Sequence, residues 1–386
     1  MPEPESVAIL DDAPVLDFKL GRDLRKAART LSAQEARYLV DSYYQLQAYR
    51  LVCANQTRAL SASTEPHELV GWLAGKMKTL EGQIISALNV YTDANRLGEW
   101  CKSIVGIGPV IAAGLLAHIN LDKVNSAAQI WSFAGLNPNQ RWEGAEAIRG
   151  FMAGKKEAGV SDVGAFVAAC DWIGAKPLNV IGRVKSKGDE PFLAWETAVA
   201  ACNAEGLPQP EAAPLLGGAD ELIHRRAGED REPVYARIVR DAKIKVPALV
   251  TELSRRPWNA DLKTLCWKLG ESFVITQPCK DSFYGPLFAK HKESLIARNE
   301  SGGFKDNAAR ALSEKNYVRD TKAKSEYQSG RLPPAHVHAM ARRWVVKLFL
   351  SHFFEVGTTM AGRQPVRPYV IDILGHKDYI PPPNWP

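Results

Sequence analysis

The sequence SIVGIGPVIAAGLLAHINLDKVNSAAQIWSFAGLNPNQRWEG, residues 103–144, carries the pattern that decides the fold. Its core, Gly106-Ile107-Gly108-Pro109-Val110, has the form of a helix-hairpin-helix, in which one helix ends, two glycines turn the backbone and a second helix begins. Glycine adopts positive φ without strain, so we expect Gly106 and Gly108 to do so, and proline suits the first position of a helix. A plain glycine-containing turn between two core helices is the alternative.

The backbone of such a hairpin predicts a phosphate-binding site. Its exposed amides, together with the positive end of the following helix, form a cradle for a phosphate group. We therefore predict that nucleic acid is bound through its phosphates at Gly106, Ile107, Gly108 and Val110.

The continuation of this stretch resembles a known family. Ile104–Leu116 match the family motif GIGPxxAxxLL, and Trp131–Pro138 match the motif aaxaGLxP that follows it. Both are similar to the C-terminal, helix-hairpin-helix domain of the Piv/MooV-type "DEDD" insertion-sequence transposases, recombinases whose relatives work with a bridge RNA. The similarity is specific over 103–138 and weaker over 258–355. It implies a transposase-like domain that takes part in DNA recombination for a mobile element.

Two departures from the family pattern bear on chemistry. Family members carry a Ser-Gly pair whose serine is the nucleophile, and Glu143-Gly144 stand in its place here. Family members also carry a RuvC-like nuclease domain before this region, and the residues ahead of the hairpin lack its Asp-bearing strands. We therefore assign no catalytic residue. We expect a RuvC-like nuclease to act in trans if strand cleavage occurs, and a divalent metal only with that partner.

Composition indicates a globular protein. A chain of 386 residues with 46% hydrophobic content is long enough to bury the cores of two or three domains. Its six cysteines form no CxxC pair, which argues against a zinc site or a disulfide framework. The sequence has no 18-residue apolar run and no signal-peptide pattern, so we expect a cytoplasmic protein without a membrane partner.

The positive charge is concentrated in residues 301–350. Ten lysines and arginines and four acidic residues leave a net charge of 10 − 4 = +6 in this window, equal to the net charge of the whole chain. We predict that this segment contacts phosphates and that interspersed aromatic residues stack on bases. An ordinary solvated basic loop is the alternative. The predicted binding residues are Lys322, Lys324, Arg342, Arg343 and Lys347, and the aromatic residues are Phe304, Tyr317, Tyr327 and Trp344.

The pattern before the hairpin predicts a leader at 1–22 and a helical stalk at 23–100. Apolar residues recur at helical spacing over 31–62, where Ser32 and Glu35 form a capping box, and a second helix spans about 66–93. In the resembled family a stalk in this position mediates dimer contacts, which implies a homodimer through these helices. A simple helical subdomain is the alternative.

Residues 145–257 are predicted to be a helical insertion. The stretch 163–187 resembles a helix-turn-helix with Gly174 at the turn and Arg183 on a second helix that starts near Lys176. A Pro/Gly-rich connector at 205–220 and a charged helix near 233–243 follow.

Residues 258–386 are predicted to be closing helices and a Pro/aromatic tail. A long helix at 333–356 has a continuous apolar face. Either its histidines form a metal or proton-transfer cluster with one from the tail, or they are ordinary hydrogen-bonded side chains; we assign no metal site. These histidines are His336, His338, His352 and His376.

The sequence contains no Walker loop, HExxH, GxSxG or other familiar enzyme motif. We therefore expect a mainly α-helical protein in which a helical stalk precedes the transposase-like domain and its insertion. Its expected function is binding of nucleic acid, either DNA or RNA with DNA preferred, without strand-transfer chemistry of its own. An active, diverged transposase or recombinase and a structural protein that reuses the fold are the alternatives, and the sequence identifies no cofactor.

Overall fold

The computed structural model describes residues 20–60, 68–137, 142–185, 232–241, 243–314, 317, 319–365 and 379–385. Every regular element among these residues is a helix, which confirms the predicted mainly α fold. None of the described helices is long and apolar enough to cross a bilayer. In chain order the α-helices are α1 Arg22–Ala27, α2 Ala33–Leu60, α3 Glu68–Asp93, α4 Arg96–Lys102, α5 Pro109–His118, α6 Ala127–Phe133, α7 Ala145–Glu157, α8 Asp162–Ile173, α9 Pro177–Lys185, α10 Glu232–Asp241, α11 Val246–Leu253, α12 Ala260–Ile275, α13 Tyr284–Glu300, α14 Lys305–Glu314, α15 Lys322–Gln328 and α16 Pro334–Met360.

The chain divides into two compact units. The first contains residues 1–136 and 260–386, and the second contains residues 137–259. The stalk, the hairpin and the closing helices therefore lie in the same unit, although they are far apart in the sequence.

Helix α5 lies at the centre of the first unit. It contacts α2, α3, α4 and α12, and six of its ten residues are buried. Neighbouring helices can approach closely because its buried side chains are mostly small. At Gly114, a Cβ atom would lie only 2.7 Å from Cδ2 of Leu265 on α12.

The predicted stalk is an antiparallel pair formed by α2 and α3. Arg50 on α2 bonds to Glu81 on α3 at 2.6 Å, and Val40 packs in one cluster with Leu88. The predicted capping box is confirmed, since the amide of Ser32 donates to Oε2 of Glu35 at 2.7 Å. The reciprocal bond, from the amide of Glu35 to Oγ of Ser32, measures 3.3 Å.

The closing helices enclose an aromatic core. Phe273 on α12 stacks on Tyr284 of α13 with ring centres 4.6 Å apart, and Phe349 of α16 packs against both. His352 joins this core through two hydrogen bonds. Its Nδ1 accepts from the Tyr284 hydroxyl at 2.7 Å, and its Nε2 donates to the carbonyl of Ile380 at 2.8 Å.

The C-terminal residues 379–385 pack on this unit. The Trp100 indole donates to the Pro383 carbonyl at 2.9 Å, and the Asn384 side chain donates to the Ser103 carbonyl at 2.9 Å. Residues 366–378 of the predicted Pro/aromatic tail, with His376, lie outside the described residues.

The second unit has its own core, to which α8, α9, α10 and α11 contribute Phe166, Leu178, Tyr235 and Leu249. Helix α8 ends at Gly174 in the left-handed conformation (φ +74°), as the predicted helix-turn-helix requires. Pro177 occupies the first turn of α9, where a proline is compatible with a helix. Arg183, however, forms an ion pair with Glu252 of α11 at 3.1 Å, so its charge is engaged within the unit. The predicted connector at 205–220 and the leader residues 1–19 lie outside the described residues.

The burial of His352 predicts a stability that depends on pH. Desolvation lowers the pKa of His352 from 6.5 to about 4, whereas in the unfolded chain it stays near 6.5. Protons therefore bind preferentially to the unfolded chain, and the contribution of neutral His352 is complete above pH 6.5 and lost as the pH falls toward 4. The two pKa values correspond to at most about 3 kcal/mol.

The matched variant is His352→Gln, whose side-chain amide offers one acceptor and one donor and does not titrate. Urea unfolding at pH 7 and pH 5 measures the free energy of unfolding of both proteins. We expect the wild type to lose about 2 kcal/mol more than the variant over this interval. Equal losses would contradict the assignment, because all other titrating groups are shared.

Candidate nucleic-acid interface

The hairpin turn lies between α4 and α5. Gly106 has φ +99°, a conformation that favours glycine, whereas Gly108 has φ −90° and ψ 176°. The prediction of positive φ is therefore correct for Gly106 and wrong for Gly108. Gly108 is the N-cap of α5, and an N-cap residue takes the extended backbone that any amino acid can adopt.

Helix α12 holds the turn in place. Oγ of Ser272 donates to the Gly106 carbonyl at 2.5 Å. A Cβ atom on Gly106 would lie 3.1 Å from Oγ of Ser272 and 3.1 Å from Oγ1 of Thr276. Both the backbone conformation and the close approach of α12 thus favour glycine at this position.

The N-terminus of α5 is open to a ligand at Gly108. This residue is exposed, a Cβ atom built on it would meet nothing within 4 Å, and no side chain caps the helix. The first bond into the helix runs from the amide of Ala112 to the Gly108 carbonyl, so the amides of Gly108, Val110 and Ile111 precede the intrahelical ladder. These three amides could hold an anion.

The other predicted hairpin residues occupy different positions. The side chains of Ile107 and Val110 are buried, so these residues can offer only backbone groups. The amide of Ile107 already donates to the Ile104 carbonyl at 3.0 Å. Of the four predicted hairpin residues, Gly108 and Val110 therefore have backbone amides that no helical hydrogen bond uses, and these amides could bind a phosphate.

Helix α16 carries three of the predicted cations, and Arg342 is engaged within the fold. It forms an ion pair with Glu271 of α12, and its guanidinium carbon lies 5.1 Å from the ring centre of Trp267. Desolvation, and then repulsion from Arg343, lower the pKa of Arg342.

Arg343 and Lys347 form a different kind of pair. They are four residues apart on α16 and partly buried, and desolvation lowers the pKa of each, with repulsion from Arg343 adding to the effect on Lys347. In the described part of the chain, no carboxylate lies within ion-pair distance of either side chain. Nζ of Lys347 lies 5.0 Å from the ring centre of Trp131. These two like charges would be stabilised by a bound anion.

The remaining predicted cations lie on α15. Lys324 forms an ion pair with Asp320 at 2.7 Å, and this bond lowers the pKa of Asp320. Lys322 is exposed. The fold therefore places Arg342, Arg343 and Lys347 on one helix and puts Lys322 and Lys324 on another.

The aromatic residues predicted to stack on bases are mostly engaged in packing. Phe304 and Tyr327 are buried, so the prediction that they meet bases is wrong. Tyr317 packs against the core, and Trp344 stacks on His291 with ring centres 4.2 Å apart. These four aromatic side chains therefore fill space in the hydrophobic core of the first unit.

The histidines of α16 have separate neighbours. His352 bonds to Tyr284, Nδ1 of His336 bonds to the Tyr327 hydroxyl at 3.0 Å, and His338 packs edge-on against Phe288. Among the described residues, no group of three potential ligands could hold a metal ion. The interpretation as ordinary packed and hydrogen-bonded histidines fits these three.

Sequence reasoning missed the role of α12, which contacts both the hairpin and α16. Ser272 bonds to Gly106, while its neighbour Glu271 pairs with Arg342. No local signal could have revealed these contacts, because Ser272 and Gly106 are 166 residues apart.

Comparison with known proteins points to one family. Residues 98–153 match the sequence model of the transposase family IS116/IS110/IS902. No curated protein and no solved structure matches the chain. The match confirms the predicted relationship to a transposase family over the hairpin, while the bridge RNA and the predicted domain architecture stay predictions.

Proposed function

We propose that this chain is a transposase-type nucleic-acid-binding protein whose partner is DNA and whose α5 N-terminus binds backbone phosphates. The observation that carries the proposal is the pair Arg343 and Lys347, two partly buried cations without a carboxylate partner among the described residues. A bound anion would offset the repulsion between Arg343 and Lys347 and the cost of their partial burial. The polyanionic backbone of DNA supplies closely spaced phosphates.

The open amides of α5 support the same ligand. Backbone amides at a helix N-terminus bind phosphate without regard to base sequence, and they position the duplex rather than read it. The transposase similarity over residues 98–153, which include this helix end, favours DNA over RNA as the partner.

We further propose that the chain forms a homodimer through α2 and α3. Several large apolar side chains on these two helices are exposed: Tyr49, Leu51, Val52, Leu69 and Trp72. Exposed apolar side chains concentrated on neighbouring helices favour association. A RuvC-like nuclease acting in trans would then meet a dimeric DNA-binding protein.

The similarity to transposases also favours a second candidate, an active recombinase. In such a recombinase Glu143, which stands where the resembled family has its nucleophilic serine, or another residue would have to take part in strand cleavage. Incubation of purified protein with labelled duplex and a divalent metal separates the two candidates. Strand cleavage by the chain alone would replace the binding proposal with the recombinase, whereas cleavage only after addition of a RuvC-like nuclease supports it.

The first prediction concerns the hairpin. Gly108→Val places a branched side chain where a phosphate would approach the α5 amides, and the extended backbone accepts valine without strain. We expect affinity for duplex DNA to fall about 10-fold while the melting temperature stays within a few degrees. Fluorescence anisotropy with a labelled duplex measures the affinity.

Gly21→Val is the matched control. Gly21 is also an extended N-cap residue without a side-chain cap, and a Cβ atom on it would meet nothing within 4 Å. This variant should bind as the wild type does. Equal affinities for Gly108→Val and wild type would remove the hairpin from the interface.

The second prediction concerns α16. The double variant Arg343→Ala/Lys347→Ala removes two cations, so the slope of log K against log salt should decrease by about 1.8, or about 0.9 per lost phosphate contact. Affinity for duplexes of unrelated sequence should fall by similar factors, since phosphates carry no sequence information. Titrations at several salt concentrations provide the measurement.

Stability distinguishes this pair from Arg342. The double variant should change the free energy of unfolding by less than about 1 kcal/mol, because relief of desolvation and repulsion offsets the lost contact between Lys347 and Trp131. Arg342→Ala should lower the free energy of unfolding, because Glu271 loses its partner. The charge-matched control is Arg25→Ala/Lys26→Ala on α1, both exposed. If that control reduced affinity and the salt slope as much, general charge and not α16 would account for binding.

A further inference from the structure

Trp267 is exposed on the helix that links the hairpin to α16. Half of its indole surface is accessible (52%), although the same helix buries Leu262, Leu265, Leu269 and Phe273 in the core. The buried face of α12 is therefore formed mainly by these four side chains, without Trp267. Aromatic rings of this size bury a large area when they find a partner.

A cation is already positioned against this ring. The guanidinium carbon of Arg342 lies 5.1 Å from the Trp267 ring centre, and Glu271 holds Arg342 through an ion pair. Trp267 and Glu271 are four residues apart, so they lie on the same side of α12. The indole is therefore flanked by a fixed positive charge and keeps the rest of its surface accessible.

The surroundings of Trp267 favour an anionic partner. Lys263 lies one turn before it on α12 and is exposed, and the guanidinium of Arg342 lies against the Trp267 ring. A ligand that joins a flat π surface to a negative charge matches this arrangement, and a nucleotide has both.

We infer that Trp267 is a stacking platform for an unpaired nucleobase, beside a backbone held by the α16 cations. This inference rests on the proposed function and adds a substrate class, namely single-stranded segments or bases displaced from a duplex. In an intact duplex each base face is covered by its neighbours, so an indole can reach a base face only where the strand is unpaired.

A protein partner fits this surface less well. Ile275 is the other large apolar side chain exposed on α12, and it lies eight residues from Trp267, or about 12 Å along the helix. Glu271 lies between the two on the helix and is engaged by Arg342. The apolar area is therefore interrupted by charge and is not the continuous patch that a protein interface needs.

The test compares a single-stranded oligonucleotide, its duplex and a strand of the same length built from abasic residues. For Trp267→Ala we expect affinity for the base-bearing strand to fall about 10-fold, with duplex affinity changed by less than about 2-fold. The wild type should prefer the base-bearing strand over the abasic one, and the variant should lose this preference. Trp267→Phe keeps a ring and should retain most of the affinity.

Trp142→Ala is the matched control, because Trp142 is also exposed (37%) and has the guanidinium carbon of Arg256 at 5.1 Å from its ring centre, outside the proposed interface and the proposed dimer surface. It should leave the affinity for all three ligands unchanged. Unchanged single-strand affinity in Trp267→Ala, or an equal loss for duplex and single strand, would overturn the stacking platform while leaving the α16 proposal in place. Loss of self-association without loss of single-strand affinity would identify a protein contact and also overturn it. If the wild type bound none of the three ligands, the proposed function itself would fail.

Discussion

The first unit depends on the close packing of helices around α5. Six of its ten residues are buried, and the site of Gly114 leaves only 2.7 Å between a Cβ position and the Leu265 side chain. Larger side chains on α5 would push α2 and α12 away from it, because packed interiors accept little extra volume. A helix enclosed in this way has a fixed axis. The amides at its N-terminus therefore have a fixed direction, which is the property that a phosphate site needs.

The cations of α16 differ in how the fold compensates their charge. Arg342 is compensated by Glu271 and contributes to the contact between α12 and α16. Desolvation lowers the pKa of both Arg343 and Lys347, and repulsion from Arg343 lowers that of Lys347 further. Groups whose pKa is shifted by burial and by a like charge are frequent at functional sites. The adjacent positions 342 and 343 therefore differ in charge compensation, although their side chains are chemically identical.

The transposase similarity covers a smaller region than the one that builds the candidate interface. The matched residues 98–153 include most of α4, all of α5 and α6 of the first unit and the first part of α7 in the second. Helices α12 and α16, which hold Gly106 and supply Arg343 and Lys347, lie outside the match. The recognisable hairpin is thus supported by helices that carry no recognisable motif. Side chains that distinguish this chain from its family, such as Trp267 on α12, are therefore expected outside the matched residues.

The sequence alone determined the helical class, the capping box at Ser32 and Glu35, the turn at Gly106 and the relationship to a transposase family. The first three follow from local rules: the spacing of apolar residues, the hydrogen bonds of a helix end and the left-handed conformation that favours glycine. The relationship to a transposase family came from the resemblance of the hairpin motif to that family. The sequence could not separate Arg342 from Arg343, or the buried rings of Phe304 and Tyr327 from the exposed ring of Trp267. Those differences depend on which helix packs on which face, and the contacts responsible join residues such as Gly106 and Ser272 that are 166 positions apart. Only the tertiary structure decides burial and charge compensation at such distances, because both depend on neighbours that the local sequence does not contain.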